Sequence, residues 1–305
     1  MPRYAVIDVG TNSVKFHIGE RSADGTWTTI ADRADVTRLG EGLSANGGEF
    51  TPEAMHRTVA AIAAMASEAK REGVAAVAAV GTMGLRTAGN SDRFITQVAQ
   101  VCGVRIEVIS AAEEARLAYR AVQAGLGLAA GSMVIFDSGG GSSQFTFGHG
   151  ATVREQFSLN VGAVRFTEQY GLAGEVTLAD LQRAMDAIAA ELARLDTAAV
   201  PDTLVGMGGA VTNLTAVMLH LATYDPAAVQ GAVLTRAETE RQIELYRTRS
   251  PEARRQIVGL QPKRAEGILA GACIVQTVMC KLRKDELSVS DRGLRHGLLV
   301  DRFGA

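Results

Sequence analysis

The sequence predicts an α/β protein of two lobes, and three observations carry that prediction. Residues 5–19 can be laid over residues 134–148 without a gap. Each copy reads as a short buried strand ending in an aspartate, a tight turn rich in glycine and hydroxyls, and a second strand with alternating apolar positions. Around each copy, strand and helix patterns alternate, and 305 residues suffice for two ordinary cores.

The elements follow in order. A hairpin over 5–19 leads to a third strand at 27–30 and then to the charged, glycine-rich loop 38–43. A helix spans 52–71, with Thr51 as N-cap and proline at its first position. A buried strand at 75–80 ends in the loop 81–86, a further helix runs from Asn90 or Ser91 to 101, and a strand follows at 104–109. Ser110 and Glu113 have the spacing of a capping box and start a helix to 124. That closes a first lobe, 1–124, with 125–131 as the hinge and 125–305 as the second lobe. In the second lobe, strands fall at 133–136, 143–147 and 152–157, with helices at 163–169 and 178–195. A strand at 203–205 feeds the turn 206–210 and a helix to 221. The remainder reads as mostly helical, with a last strand at 287–290.

Composition excludes several classes. A formal net charge of −2 leaves no electrostatic footprint for duplex nucleic acid or an anionic membrane. No stretch approaches a membrane span and no signal peptide precedes the first strand, so the expectation is a cytoplasmic protein. The 3 cysteines are too scattered for a disulfide framework or a zinc site. Cys273 and Cys280, seven apart on one apolar helix face, are expected to be buried and structural.

The repeated turns are the chemically informative part. An aspartate followed by exposed backbone amides suits a phosphate and its cation, because amides and hydroxyls donate to phosphate oxygens while the carboxylate holds a cation or its water shell. Asp8 and Asp137 occupy equivalent positions and are the candidate metal ligands. Thr11, Asn12 and Ser13 in one turn, and Gly139, Gly140, Gly141, Ser142 and Ser143 in the other, are the candidate phosphate donors. Hairpin turns use the same residues for backbone reasons, so the pairing is what singles them out. Gly208 and Gly209 open a helix, where free amides and the helix dipole favour an anion. Lys15, which lies opposite Gln144 in the repeat, is a further candidate phosphate contact. Arg86 is a candidate phosphate clamp because its fork stays charged and binds bidentately. Arg38 and Arg295 are weaker candidates, and His17 and His296 are unassigned.

Six segments, taken together, resemble a known family: Ile7-Asp8-Val9-Gly10-Thr11-Asn12-Ser13, Arg38-Leu39-Gly40-Glu41-Gly42, Glu113-Glu114-Ala115-Arg116-Leu117, Asp137-Ser138-Gly139-Gly140-Gly141-Ser142, the run 206–209, and Gly293-Leu294-Arg295. In this order they resemble the exopolyphosphatase and guanosine pentaphosphate phosphohydrolase (Ppx/GppA) family, a branch of the actin, Hsp70 and sugar-kinase superfold. The resemblance covers essentially the whole chain and implies two ribonuclease H-like lobes around a central cleft. It also implies Mg2+-dependent removal of the terminal phosphate from inorganic polyphosphate or from guanosine pentaphosphate, and it assigns Glu114 as the base that activates water. Longer members carry an additional C-terminal helical module, and the expectation here is a short, two-domain member. Related proteins are often homodimers, although no heptad or apolar stripe here establishes one.

One departure stands out. The family usually has a second glutamate after the Gly-Gly-Gly-Ser turn, where this chain has Gln144. The expected activity is therefore an exopolyphosphatase-like hydrolase. Three alternatives stay open: a guanosine pentaphosphate phosphohydrolase, a sugar or acetate kinase of the same superfold, and a non-hydrolysing polyphosphate or alarmone sensor.

Overall fold

The computed structural model describes residues 1–43, 45–128 and 130–304. The chain divides into two compact units, Met1–Ala121 with Gly293–Ala305, and Val122–Arg292.

In the first unit, β1 (Arg3–Val9), β2 (Val14–Arg21) and β3 (Trp27–Asp35) form an antiparallel meander. Then follow α1 (Pro52–Arg71), β4 (Ala76–Gly81), α2 (Met83–Thr87), α3 (Ser91–Cys102), β5 (Ile106–Val108) and α4 (Ala111–Leu126). The sheet order is β3-β2-β1-β4-β5, with β4 parallel to β1 and β5 parallel to β4. A parallel neighbour needs a crossover, and α1 supplies it. Thr51 caps α1 by accepting from the Ala54 amide at 3.2 Å, a bond worth about 1 kcal/mol.

The pleat sorts β1 and β2 by parity. Ala5, Ile7, Val9, Val14, Phe16 and Ile18 turn to the core shared with Ile62 and Met65 of α1 and Phe94 of α3. On the other face Val6 and Val80 pack with Leu117 of α4 and with Leu294, Leu298 and Leu299. Those three leucines belong to α12 (Leu294–Phe303). By the same alternation Asp8, Lys15 and His17 sit on the α4 and α12 face, with Asp8 opposite Lys15 and Val6 opposite His17.

The second unit repeats the plan. It contains β6 (Ser132–Ser138), β7 (Ser143–His149), β8 (Thr152–Leu159), α5 (Ala163–Tyr170), α6 (Leu178–Glu191), β9 (Thr203–Met207), α7 (Gly208–Met218) and α8 (Pro226–Val229). It continues with β10 (Val233–Thr235), α9 (Arg236–Arg247), α10 (Pro251–Arg254), α11 (Ile268–Lys281) and β11 (Glu286–Val289). Its sheet order is β10-β11-β9-β6-β7-β8, so β8-β7-β6-β9-β11 reproduces the order of the first sheet. The core centres on α11, where Leu269, Ala272, Cys273 and Val275 are fully buried.

The structure differs from the sequence expectation in five places. The C-terminal segment belongs to the first unit rather than to a lobe ending at 305, because the leucines of α12 cover the open face of β1 and β4. The boundary falls inside α4, which is continuous through Gly125, where a hinge over 125–131 is expected; Ala129 of that stretch lies outside the described residues. The 81–86 loop is instead largely the short helix α2. The third strand runs on to Asp35, since β2 offers it a full-length partner. Cys280 is exposed although Cys273 is buried, while its neighbours Val278, Met279 and Leu282 stay in the core; burial pushes the Cys273 thiol up to about 12.

Candidate active site

The two repeated turns have the same geometry. Gly10 donates its amide to the Ser13 carbonyl at 3.0 Å, and Gly139 does the same to Ser142 at 2.9 Å. Among the described residues, the amides of Thr11, Asn12, Gly140 and Gly141 at the tips are not taken up by backbone hydrogen bonds. A pair of free N–H groups of this kind, as each turn presents, suits donation to phosphate oxygens. The first turn is braced from outside: Arg38 donates its amide to the Asn12 carbonyl at 2.9 Å, and Gly40 to the Thr11 carbonyl at 2.8 Å.

Asp8, 4 % exposed, ends the first strand of this turn, and Lys15 Nζ lies 3.6 Å from its Oδ2. Glu114 sits in the first turn of α4, where a carboxylate suits the helix dipole. Arg86, in α2, donates from Nη1 to Glu114 Oε2 at 3.0 Å and to the Ile109 carbonyl at 2.9 Å. Burial raises the Glu114 pKa above the ordinary carboxylate value; the Arg86 hydrogen bond and charge oppose that rise, Asp8 adds to it, and Lys15 opposes it. Arg86 is thus placed beside the glutamate rather than free of it.

Glu113 has a different duty from the one its spacing suggests. Its amide donates to Ser110 Oγ at 3.1 Å, the forward half of a capping box. Its carboxylate, however, takes a bidentate pair from Arg116 at 2.8 and 2.7 Å, and Arg116 also reaches Asp301 of α12 at 2.9 Å. Arg116 thus ties α4 to α12, and Glu113 holds its guanidinium in place.

In the second unit, Ser143 is fully buried and donates from Oγ to the Val161 carbonyl at 2.7 Å, so its hydroxyl serves the fold. Ser142 Oγ accepts from Gln144 Nε2 at 3.1 Å, and Gln144 is exposed and paired across strands with Asp137. Gly208 has φ +83°, and a Cβ there would lie 2.1 Å from Asp137 Oδ1, so only glycine lets α7 begin against this carboxylate. A Cβ on Gly209 would meet Arg264 Nη2 at 2.3 Å. Arg264 therefore stands at the start of α7, and neither it nor its neighbour Lys263 is among the residues singled out from the sequence. They line a pocket of about 170 Å³ together with Ser138, Gly139 and Gly140. The available signal was the basic pair itself, which has no motif of its own.

For a divalent cation, Asp8 and Asp137 offer hard carboxylate oxygens of the type that Mg2+ prefers. A second grouping was not anticipated: His17, Asp32 and His296 bring ligand atoms within 4.8 Å of one another, a set able to hold a divalent cation with no preference for Mg2+. Two contacts compete with a cation there. Arg295 already holds Asp32 through Nε to Oδ1 at 2.7 Å and Nη2 to Oδ2 at 3.0 Å. The Gly293 amide donates to His296 Nδ1 at 3.3 Å, which puts the proton of a neutral ring on Nε2, facing Asp32 at 3.4 Å. Arg295 is thereby committed to the fold, and the cluster pins α12 to β2 and β3.

This arrangement, two α/β units that each carry an aspartate and a phosphate-type turn, defines a class of phosphate-handling enzyme. A family model described as the Ppx/GppA phosphatase family matches residues 19–304. Among relatives, "Exopolyphosphatase 2" of Mycobacterium tuberculosis is 30 % identical over 100 % of this chain and 99 % of its own length. A guanosine-5′-triphosphate,3′-diphosphate pyrophosphatase of Vibrio atlanticus is 30 % identical over 99 % of this chain and 60 % of its own. A crystal structure of the Aquifex aeolicus Ppx/GppA phosphatase superposes with a TM-score of 0.89 at 32 % identity, covering 99 % of this chain and 100 % of that one. The chain belongs to the Ppx/GppA phosphatase family and is a phosphoanhydride hydrolase. Membership supports a polyphosphate or guanosine polyphosphate as the substrate class. Among the described residues, no helix is long and apolar enough to cross a membrane.

Proposed function

We propose that the protein is an exopolyphosphatase that removes the terminal phosphate of inorganic polyphosphate by attack of water. The observation that carries this reading is Glu114: a half-buried carboxylate whose Oε2 is held by Arg86, beside Asp8 and Lys15. Holding Oε2 leaves Oε1 to accept the water proton, and a pKa raised by burial makes the carboxylate a stronger base. Water oxygen then forms the new bond to phosphorus, the anhydride P–O bond breaks, and the shortened chain leaves as an anion. The Thr11–Asn12 amides, the Ser13 hydroxyl and Lys15 stabilise phosphate oxygens in the first unit. Gly139, Gly140, Gly141, Ser142, the amide of Ser143, the α7 amides at Gly208 and Gly209, and Arg264 do so in the second.

Asp8 in the first unit and Asp137 in the second are each a candidate ligand that would hold Mg2+. When bound, the ion supplies charge neutralisation for the phosphate oxygens. Support for polyphosphate over the guanosine substrate comes from the relative that matches end to end, "Exopolyphosphatase 2", whereas the Vibrio pyrophosphatase is matched over 60 % of its length. Phosphate release from long polyphosphate, guanosine pentaphosphate and ATP, measured in parallel with Mg2+, tests the reading. Preferential release from polyphosphate is expected. Release from guanosine pentaphosphate alone reassigns the substrate, and binding without release makes the protein a sensor.

A further inference from the structure

Arg38 is held in a conformation its own chemistry disfavours. Its φ is +50°, left-handed, one of the positive-φ non-glycine residues among those described. A side chain there costs more than glycine would, and such strain persists where surrounding structure imposes it. Here the imposing structure is visible. Thr37 and Leu39 on either side are buried, with Leu39 in the sheet core, so the chain must turn outward at position 38.

The loop is docked on the first phosphate-type turn. The Arg38 amide donates to Asn12, the Gly40 amide donates to Thr11, and a Cβ on Gly40 would lie 2.2 Å from Thr11 Cγ2. Arg38 is therefore fixed beside Thr11 and Asn12, while its side chain remains 66 % exposed. Its neighbouring acid does not neutralise it. Glu41 approaches Arg38 Nη1 only at 4.0 Å, because its carboxylate is drawn to Arg57 Nη2 at 2.6 Å. Arg57 also donates to the Thr37 carbonyl at 3.2 Å, which fixes the loop from below. A strained backbone thus presents a weakly paired guanidinium at the rim of a turn whose tip amides are open.

We infer that Arg38 is a substrate-binding residue that takes an internal phosphate of a condensed phosphate chain, next to the phosphate seated on Thr11–Ser13. The guanidinium fork matches two phosphate oxygens and keeps its charge at every working pH. This rests on the hydrolase reading above and deepens it: Arg38 makes the enzyme favour substrates with several consecutive phosphates.

Steady-state kinetics with long polyphosphate at low salt, together with thermal unfolding, test the inference. Arg38→Ala should raise KM roughly tenfold while kcat changes less than about threefold, as expected for an interaction made equally in ground and transition state. Arg38→Lys should fall between, since it keeps the charge and loses the fork. Arg38→Gly should raise KM as Ala does while holding or raising the unfolding temperature, because glycine relieves the left-handed backbone. Glu41→Gln should leave KM unchanged. Added salt should shrink the difference between wild type and Arg38→Ala. An unchanged KM in Arg38→Ala overturns the inference, as does an unfolding temperature that falls in Arg38→Gly, which would make the residue structural. Wild-type protein that releases no phosphate from any substrate overturns the hydrolase reading instead; equilibrium binding of long polyphosphate to wild type and Arg38→Ala then decides the Arg38 contact separately.

Discussion

Replacing Gly208 by alanine puts the Asp137 carboxylate to a quantitative test. A Cβ at that position would lie 2.1 Å from Asp137 Oδ1 and 3.1 Å from the Ser138 carbonyl, on a backbone with φ +83°. The left-handed backbone alone costs an alanine roughly 1–2 kcal/mol. Relieving the clash means moving a carboxylate fixed at the end of β6, and the total should reach about 2–3 kcal/mol. For a unit of this size that corresponds to a fall of about 5–10 °C in the unfolding temperature. The same displacement takes a proposed cation ligand out of place, so the Mg2+ concentration for half-maximal phosphate release should rise. The assay is thermal unfolding plus a Mg2+ titration of activity at saturating polyphosphate, for Gly208→Ala in wild-type and Asp137→Ala backgrounds. Removing Asp137 should remove the severe clash, leaving the backbone cost and the milder 3.1 Å approach to the Ser138 carbonyl. Equal destabilisation in both backgrounds, with an unchanged Mg2+ requirement, would refute the claim that Gly208 exists to seat this carboxylate.

Glu114→Gln should lower turnover by roughly two to four orders of magnitude with little change in polyphosphate affinity, whereas Glu113→Gln should keep most activity and lose at most about 1 kcal/mol of stability from its exposed pair with Arg116; single-turnover kinetics and unfolding midpoints check both. Because Arg86 opposes the burial that raises the Glu114 pKa, Arg86→Ala should move the acidic limb of the pH profile of kcat/KM to higher pH, and a shift to lower pH contradicts the pairing. Burial lowers the His296 pKa from 6.5 to about 4, so the unfolded chain binds more protons across that interval and stability should fall by up to roughly 3 kcal/mol as pH drops through it. His296→Gln should flatten this slope in urea unfolding between pH 6.5 and 4, and an unchanged slope removes His296 as its source. Below that window the Asp32 carboxylate, which Arg295 and the two histidines hold well below the usual range against the cost of burial, gives up its own contribution as it protonates.

What the sequence determined by itself was the repeat and the identity of the turns. Asp8 and Asp137, Gly10 and Gly139, and Ser13 and Ser142 share offsets that hairpin geometry dictates locally, and both turns close with the same hydrogen bond. Strand polarity and the crossover helix follow from alternation and length, which are also local. Tertiary structure alone decided whatever depends on two distant segments meeting. The leucines of α12 lie on one face of an amphipathic helix, yet only folding shows that their partners are Val6 and Val80, both more than 200 residues away along the chain. His17 and His296 have no partner legible in the sequence, and folding places Asp32, already held by Arg295, beside both. Arg264 entered the site because α7 begins under its guanidinium, and Ser143 left the set of free hydroxyls because the Val161 carbonyl claims it. Spacing reports which residues share a face. Which charge stands beside which, and which hydroxyl is already spent, is set by packing between segments that the sequence keeps apart.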